Sequence, residues 1–380
     1  MMKRFTTRTF HEFSQWTSKR KFASLGIGNQ WPTSLRVSAP GTLPLEEGKR
    51  PLRGDETAKT IVPYAEPPSN EDIDRLHQFL DQRFVSVNHC HHSSLFSDST
   101  LSTKLMVLTG AGMSTECGIP DYRSPNGAYS TGFKPITHQE FTRSSKMRRR
   151  YWARSYAGWR KFTAARPSAA HRALASLENC GRIHLIVTQN VDRLHHRAGS
   201  NPLELHGSVY SVICLDCSFS FERETFQDQI KSLNPKWAEA IESLEKGHGN
   251  RFGMKQRPDG DIEIDDKFWE VEFEIPTCPK CGGVLKPDVV FFGDNVPKER
   301  ADRAMEGAKQ CDRFLVLGSS LSTMSAFRLL RAANERGVRI AIVNVGDTRA
   351  DAFVQLKINA RLGEILPRVL NHGSLAIPAI

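Results

Sequence analysis

The stretch LIVTQNVDRLHHRAGS, residues 185–200, ends an apolar run with two amides and a carboxylate. These polar residues are Gln189, Asn190 and Asp192. A buried strand of a parallel sheet is apolar on both faces, so polar groups at its carboxyl end favour a ligand crevice over a core. An Asn/Asp turn that caps the following helix would explain the same residues. The stretch by itself leaves both interpretations open.

Two glycines follow the apolar run that opens LMVLTGAGMSTECGIPDYRS, residues 105–124. Gly110 and Gly112 suit a dinucleotide-binding turn, because only glycine lets backbone amides approach a pyrophosphate closely. The usual fingerprint has a third glycine, and Thr115 stands in its place. Taken alone, this motif is weak evidence for a nucleotide site.

A second polar turn follows a later apolar run. Gly318, Ser319 and Ser320 end one predicted strand and open a helix, and Asn344 ends the next strand. In dinucleotide-binding folds the residue that contacts a ribose hydroxyl stands at the end of such a strand, where Asn344 lies. An acid is commoner there, but an Asn side chain can both donate and accept. This second half of the sheet favours a nucleotide site more strongly than the first glycine pair.

One histidine stands out among the 13 in the chain. His206 lies in ELHGSV, shortly after the polar strand end, and the glycine that follows it leaves room beside the ring. A neutral imidazole suits a general base near pH 7. Without further context, a histidine packed in the core is the simpler interpretation.

Four of the eight cysteines form two C-x-x-C pairs, Cys214 with Cys217 and Cys278 with Cys281. Four thiolates fit a tetrahedral structural zinc site that has no open position for catalysis. The stretch between the pairs is longer than in a usual zinc ribbon, but it does not prevent closure. Eight cysteines in a chain of this length do not indicate a disulfide scaffold. We predict structural zinc rather than redox chemistry.

From Lys104 onward the chain alternates short apolar strands, glycine turns and amphipathic helices. The predicted strands are KLMVLTG (104–110), IHLIVTQ (183–189), DVVFFG (288–293), RFLVLGSS (313–320) and VRIAIVNVG (338–346). The helical segments PSAAHRALASLENCG and SAFRLLRAANERG each end in a glycine C-cap. This alternation predicts an α/β fold, a Rossmann-like doubly wound parallel sheet. One region breaks the rhythm and carries both cysteine pairs, so we predict an inserted small zinc-binding module there.

These patterns divide the chain into segments. A helix is expected to begin at Ser69 or Asn70, with Ile73, Leu76, Phe79 and Leu80 on one apolar face. The predicted segments are a disordered presequence and linker (1–58), a first part of the Rossmann-like domain (59–211) with an atypical insertion (83–103), the zinc-binding module (212–284) and a second part of the Rossmann-like domain (285–380).

Charge and composition restrict the class of protein. The first 26 residues are rich in Lys, Arg, Ser and Thr, hold one acid, Glu12, and lack a secretory apolar core. This pattern is typical of an organelle transit peptide, although a disordered tail or a basic nuclear arm remains an alternative. Nucleic acid is an unfavoured partner, and binding through Lys146 and Arg148–Arg150 would require a steep salt dependence. No apolar run approaches the roughly 20 residues of a membrane span, so we expect no membrane segment.

Seven strings, taken together and in order, carry a family resemblance. They are GAGMSTECGIPDYRS, TQNVDRLHHRAGS, LHG, CLDC, CPKCGGVLKPDVVFFGD, GSSL and IVNVG. They resemble the sirtuin family of NAD-dependent protein deacylases, in the class II branch that includes mitochondrial members, and most of all its plant organellar type. The resemblance spans roughly residues 60–380. It implies that the polar strand end faces the nicotinamide side of NAD.

The resemblance implies a cofactor site. The cofactor loop would hold Gly110, Ala111, Gly112, Thr115, Asp121 and Arg123. The nicotinamide and ribose pocket would hold Gln189, Asn190 and Asp192. The adenosine half would hold Gly318, Ser319, Asn344 and Gly346, and Ser320, Val345 and Leu362 would also bind the cofactor. Zinc would be the second cofactor, bound by the four cysteines.

The resemblance also implies catalytic and substrate-binding residues. His206 corresponds to the general base, and Asn190 and Asp192 would assist it at the ribose. Residues 290–294, with Val290, Phe291 and Gly293, would offer a strand edge to an acylated protein substrate. A strand buried in the core, with no role in binding, would explain the same apolar residues.

Tyr151 and Arg154 stand at Y-x-x-R spacing in RRRYWARSY. The resemblance implies the acyl-pocket pair of relatives that prefer acidic acyl chains, and Arg can pair with a carboxylate through two hydrogen bonds. A helix face with solvated arginines is the simpler interpretation.

The sequence therefore predicts an NAD-dependent protein-lysine deacylase that transfers the acyl group to ADP-ribose and releases nicotinamide. Mono-ADP-ribosyl transfer or a lipoamidase-type activity is the alternative within the family. A zinc-stabilised protein that senses NAD without turnover is the alternative from another class. We expect a monomer in the mitochondrial matrix, with the nucleus or a plastid as alternatives.

Overall fold

Strands and helices alternate along the part of the chain that the computed structural model describes, which is residues 61–81, 104–246, 255–256, 262–264 and 273–372. The strands, numbered in chain order, are β1 (Leu105–Thr109), β2 (Leu185–Thr188), β3 (Leu203–Glu204), β4 (Gly207–Cys214), β5 (Ser220–Glu222), β6 (Lys255–Gln256), β7 (Ile262–Glu263), β8 (Leu285–Val289), β9 (Arg313–Leu317), β10 (Arg339–Val343) and β11 (Leu356–Ile358). The helices are α1 (Asn70–Leu80), α2 (His138–Arg143), α3 (Ser145–Ala164), α4 (Ala169–Asn179), α5 (Leu194–Arg197), α6 (Arg223–Leu233), α7 (Pro235–Glu245), α8 (Lys298–Gln310), α9 (Met324–Glu335) and α10 (Leu362–Leu370). The predicted presequence (1–58) and insertion (83–103) lie outside the described residues.

Six strands form a parallel sheet in the order β11-β10-β9-β1-β2-β3. Thr109 at the end of β1 is in register with Thr188 of β2 and with Leu317 of β9. Leu317 is in turn in register with Val343 of β10. Four strands thus end level with one another, so the loops that follow them meet at one edge of the sheet. This edge is where an open α/β sheet binds its ligand.

Helices cover both faces of this sheet, as the doubly wound prediction requires. On one face, α1, α4 and α10 pack on β1, β9 and β10 through a single buried cluster. On the other face, α8 and α9 pack through a second cluster that includes Phe314, Leu329 and Leu330. Burying each large apolar side chain contributes about 1.5–3 kcal/mol to folding. The predicted fold class is confirmed.

The first helix begins where the sequence predicts. Ser69 accepts a hydrogen bond from the backbone of Asp72, and the Asp72 side chain accepts one from the Ser69 backbone. This capping box satisfies two of the amide groups that a helix start leaves unpaired. Gly181 and Gly337, which follow α4 and α9, have φ of +69° and +72°, as the predicted glycine caps require.

A second, smaller sheet has the order β5-β4-β8 and is antiparallel. Its core is aromatic, and it is completed by α2, α3, α6 and α7. Phe141, Trp152, Phe226, Trp237 and Phe273 are all almost completely buried there. This sheet starts at β4, before the predicted module boundary at 212, and it continues through β8, beyond the predicted boundary at 284.

The predicted strand over 288–293 was wrong in its bounds and in its sheet. The strand is β8, and it pairs antiparallel with β4 instead of joining the parallel sheet. The apolar letters that suggested a core strand belong to Val290, Phe291 and Phe292, which lie beyond its end. The zinc-bearing stretch brings the chain back beside β4 in the opposite direction, so β8 pairs with β4 and not with a strand of the parallel sheet.

None of the described helices combines the length and the apolar character that crossing a bilayer would need.

Candidate active site

A cleft of about 1210 Å³ opens at the carboxyl edge of the parallel sheet, against the smaller sheet. The loops after β1, β2, β9 and β10 line it, because those strands end level with one another. Every residue predicted for the cofactor lines this cleft: Gly110, Ala111, Gly112, Thr115, Asp121, Arg123, Gln189, Asn190, Asp192, Gly318, Ser319, Ser320, Asn344, Val345, Gly346 and Leu362. The structure therefore brings residues from five separate segments to one place.

The glycines of the two turns pack directly against each other. The Gly112 amide donates to the Gly318 carbonyl at 2.9 Å. A Cβ on Gly110 would lie 2.7 Å from the Gly318 oxygen, and one on Gly112 would lie 2.9 Å from the Gly318 Cα. Gly318 itself has φ of +60°, and a Cβ there would lie 2.6 Å from the Met113 nitrogen. Loop-to-loop contact is thus a further reason for these glycines, besides the close approach to a pyrophosphate that the sequence suggests.

The residues of this double turn fit a dinucleotide. The glycine backbone of both turns lines the cleft, so a pyrophosphate can approach it closely, while the amides of Gly110, Gly112 and Gly318 already donate to protein carbonyls. Asn344, which is 8% exposed, lies at the end of β10 and lines the same cleft. Its amide donates to the carbonyls of Val345 and Gly346, at 3.0 Å each. This holds the Val345–Gly346 turn, a further part of the cleft wall, in place.

The amides after β2 link the two halves of the cleft. Gln189 donates to the Ser319 hydroxyl at 2.8 Å and accepts from Thr323 at 3.0 Å. Asn190 donates to the Gly110 carbonyl at 3.1 Å and to the Ser114 hydroxyl at 3.0 Å. Both side chains are therefore fixed by the neighbouring turns and not free to rotate.

Asp192 is a buried carboxylate at the same strand end, with 5% of its surface exposed. It accepts from the Ser114 hydroxyl at 2.6 Å and from the Leu194 amide at 2.9 Å. Burial raises the pKa of Asp192 above its ordinary value, although these two hydrogen bonds oppose that shift. Helix capping, the alternative that the sequence left open, is therefore also real, because Leu194 begins α5. One oxygen caps the helix while the other binds Ser114, a residue that lines the cleft.

His206 lines the cleft between two hydrogen-bond partners. Its Nδ1 lies 3.1 Å from the Gln189 carbonyl, and its Nε2 lies 2.8 Å from the Ser325 hydroxyl. A carbonyl can only accept, so Nδ1 carries the proton and Nε2 has the free lone pair. Burial lowers the pKa of His206, while the bond to Gln189 opposes this shift. The ring is therefore held neutral, with its basic nitrogen facing a hydroxyl.

Two further histidines form a buried layer behind the strand ends. Thr109 donates to Thr188 at 2.8 Å and lies 3.0 Å from the His195 ring nitrogen. The rings of His195 and His171 are 4.8 Å apart. Burial lowers their pKa values to about 3 and about 4, so both are neutral at physiological pH. Sequence reasoning did not single out these histidines, because only the fold brings them together.

The segment predicted to bind the peptide substrate, residues 290–294, forms another part of the cleft wall. Val290, Phe291 and Gly293 line the cleft, and the Val290 amide donates to the His206 carbonyl at 2.9 Å. Phe292 makes a parallel bridge with Thr137, just before α2. The edge is therefore joined to His206 on one side and to α2 on the other.

A buried lysine contacts this segment. Lys286 is 5% exposed, donates to the Val289 carbonyl and lies 4.4 Å from the centre of the Phe291 ring. It also lies 3.6 Å from the Asp294 carboxylate, which His138 approaches at 3.1 Å. The ammonium group thus contacts both ends of the edge segment. Sequence reasoning missed it, since a lysine within an apolar run gives no signal of burial.

The structure does not bring Tyr151 and Arg154 to the cleft. Tyr151 packs against Phe141, Trp152 and Phe291, and burial raises its pKa to about 12. The guanidinium of Arg154 lies 5.5 Å from the centre of the Phe133 ring. Among the described residues that line the cleft, neither is present.

The four cysteines of the two pairs converge as the sequence predicts. The sulfur atoms of Cys214, Cys217, Cys278 and Cys281 all lie within 4.8 Å of one another. The Cys214–Cys281 and Cys217–Cys278 sulfurs are 3.5 and 3.7 Å apart. Four thiolates around zinc at about 2.3 Å would be separated by roughly 3.8 Å. The donor set and spacing fit zinc, and none of these four cysteines is among the residues that line the cleft.

Comparisons with known proteins agree with this geometry. The Sir2 family model matches residues 110–325. The chain is 66% identical over 351 residues to the NAD-dependent protein deacylase SRT2 of Arabidopsis thaliana, covering 92% of this chain and 89% of that protein. It is 45% identical over 312 residues to the human NAD-dependent protein lipoamidase sirtuin-4, mitochondrial, covering 81% and 89%.

Solved structures give the same result. A structure described as Sir2 with a p53 peptide and NAD+ superposes with a TM-score of 0.52 at 30% identity, covering 70% of this chain and 92% of that chain. A structure from work on the mechanism and regulation of Sir2 enzymes gives a TM-score of 0.55 at 30% identity, covering 80% and 98%. With identity this high over nearly the whole of a curated relative, the chain belongs to the Sir2 family.

Proposed function

We propose that the chain is an NAD-dependent protein-lysine deacylase that transfers the acyl group to ADP-ribose and releases nicotinamide. The observation that carries the proposal is the neutral imidazole of His206, which faces the same cleft as the amide and carboxylate cluster after β2. Bound NAD supplies a glycosidic bond that can break and a ribose that can accept the acyl group. The chain's own residues must favour that bond's cleavage and take a proton from the ribose.

Asp192 and Asn190 would act on the ribose side. Loss of nicotinamide leaves positive charge on the ribose, and a carboxylate in a site of low polarity stabilises such charge strongly. Asp192 is held by Ser114 and Leu194, so it need not reorganise during the reaction. Asn190 donates its two amide hydrogens to Gly110 and Ser114, which leaves its carbonyl oxygen for the same group.

His206 would take the proton from a ribose hydroxyl at Nε2. The Gln189 carbonyl fixes the tautomer, and the Ser325 hydroxyl marks the place where a second hydroxyl can donate. A general base must be unprotonated at the working pH and still basic enough to take the proton. Burial lowers the pKa of His206 and so favours its unprotonated form.

The peptide substrate would add as a strand to the segment 290–293, between His206 and α2. We propose a neutral acyl chain, since Tyr151 and Arg154 lie away from the cleft and Phe162, Val290 and Phe291 give part of the wall an apolar character. Lipoyl-type acyl groups are the second candidate, because a relative with 45% identity is named a lipoamidase.

The test is to incubate the protein with NAD and a panel of acyl-lysine peptides and to measure nicotinamide release and peptide mass. Deacylation predicts stoichiometric loss of the acyl group and gain of acyl-ADP-ribose. His206→Tyr should abolish turnover while ADP-ribose still binds, whereas a protein that only senses NAD would be unaffected. Nicotinamide release with ADP-ribose added to protein would instead indicate mono-ADP-ribosyl transfer.

We propose the mitochondrial matrix as the location. Support comes from the basic, acid-poor start of the chain and from the sirtuin-4 relatives, whose names place them in mitochondria. We also propose a monomer in solution. Fractionation with N-terminal sequencing of the mature protein tests the first proposal, and sedimentation equilibrium tests the second.

A further inference from the structure

The segment before α1 runs along the cofactor cleft. Val62, Pro63 and Tyr64 line the cleft, although they lie far in sequence from the turns that form most of it. The cleft wall also includes Asn344 and Gly346, which the sequence resemblance assigns to the adenosine half, and the predicted cofactor residue Leu362. Residues 62–64 line the cleft together with these residues.

Two arginines hold this segment in place. Arg361, just before α10, donates to the Pro63 carbonyl at 3.2 Å. Arg368, within α10, donates to the Pro68 carbonyl at 2.9 Å. Ala65 between them is buried, at 6% exposure. The segment is therefore anchored on both sides of Tyr64 by the helix that follows the adenosine loops.

Tyr64 itself is strongly exposed, with 74% of its surface accessible to solvent. Its hydroxyl donates to the Glu66 carboxylate, so the polar end of the side chain already has a partner. The Arg361 guanidinium lies 6.0 Å from the ring centre and holds the ring near α10. An aromatic ring that is fixed at a cleft wall but uncovered offers a flat apolar face to a ligand.

We propose that Tyr64 is part of the adenosine subsite and stacks on the adenine base of NAD. A base offers a π-face of matching size, and stacking on an aromatic side chain is worth about tenfold in affinity or more. Arg361 acts as the residue that positions the ring, through Pro63 and through its contact with Tyr64. The inference rests on the proposed function only for the identity of the cofactor.

The test compares a ligand that contains adenine with one that lacks it. Calorimetry measures the binding of ADP-ribose and of nicotinamide mononucleotide to the wild-type chain, Tyr64→Ala and Tyr64→Phe. We expect Tyr64→Ala to weaken ADP-ribose about tenfold and to leave nicotinamide mononucleotide within about twofold, while Tyr64→Phe binds both nearly as the wild type does. Phe219→Ala, at an exposed aromatic residue outside the cleft, is the matched control and should change neither affinity.

Three results would overturn the inference. They are unchanged binding of ADP-ribose to Tyr64→Ala, an equal loss for both ligands, or binding of neither ligand to the wild-type chain. The proposed function fails on a different result, the absence of nicotinamide release with every acyl peptide. If the adenine-specific loss persists in that case, Tyr64 still belongs to a nucleotide site while the deacylase proposal does not stand.

Discussion

Replacing Asp192 with Asn should make the chain more stable and nearly inactive. The carboxylate is 5% exposed and accepts two hydrogen bonds, and no salt bridge joins it to any lysine or arginine of the described residues. Asn has nearly the same shape, and it removes the charge and replaces one acceptor oxygen with an NH2 group. The substitution therefore separates the need for a negative charge in the cleft from the need for a well-packed side chain.

The expected gain follows from the local contacts. Burying a carboxylate costs several kcal/mol of hydration, and hydrogen bonds to a charged group return about 1.5–3 kcal/mol each. Because the pKa of Asp192 is raised, burial outweighs the two bonds. Asn keeps the bond from Leu194, but the Ser114 hydroxyl loses its acceptor, which costs about 1 kcal/mol. Since burial outweighs the hydrogen bonds to the charged form, we expect a net gain in the free energy of unfolding at pH 7.

The pH dependence gives the sharper measurement. In the wild type the folded state holds the proton of Asp192 more tightly than the unfolded chain, whose Asp has a pKa of about 3.9. As pH rises from about 4 through the raised folded pKa, the wild type loses stability relative to the variant, and above that pKa the difference is constant.

Urea unfolding of the ligand-free proteins between pH 4 and pH 8 measures this difference. Nicotinamide release by Asp192→Asn should fall at least about a hundredfold, since stabilisation of the ribose cation is lost. A variant that is less stable at pH 7, or that differs from the wild type equally at every pH, would contradict the idea of an uncompensated buried charge.

Three other predictions follow from single contacts. The rise of kcat/KM with pH should have its midpoint below the ordinary histidine value of about 6.5, because burial lowers the pKa of His206 and its neutral form is active; a midpoint above 6.5 in a pH-rate profile would exclude it. Gly318→Ala should lower Tm by about 5 °C, since its Cβ would meet the Met113 nitrogen at 2.6 Å. Gly337→Ala has a similar φ with open space around it, so thermal denaturation should show a much smaller loss there. One zinc per chain should be found by mass spectrometry, and Cys281→Ser should reduce both zinc content and Tm without abolishing ADP-ribose binding, because the cysteines lie outside the cleft.

Much of the parallel sheet and of the cleft could be predicted from the sequence, because both depend on local patterns. Buried strands leave continuous apolar runs, and the residues just after them, such as Gln189 and Asn344, must lie at the carboxyl edge. The two C-x-x-C pairs could be recognised as candidate zinc ligands without knowing any distant contact, since each pair forms its own turn. For these features spacing along the chain determines the position in space.

The errors concern features that depend on pairing between distant segments. The sheet that an apolar run joins depends on the strand with which it pairs. β8 pairs with β4 and not with a strand of the parallel sheet. The Y-x-x-R spacing of Tyr151 and Arg154 likewise could not show that the Tyr151 ring packs against Phe141 and Phe291, and their role in acyl binding stays a prediction. Ser325, the partner of His206, comes from a helix 119 residues further along the chain. No local pattern could have indicated that contact.

The contact between the two glycine turns has a consequence for how the site works. Gly110 and Gly112 belong to the loop after β1, Gly318 belongs to the loop after β9, and each fills the space where the other would carry a Cβ. Gln189 and Asn190 then reach from β2 to one turn each, through Ser319 and Gly110. A shift of either turn must therefore move the amides that lie beside His206. The two turns and the amides after β2 are therefore linked by direct contacts, so a ligand that moves either turn would also shift Gln189 and Asn190.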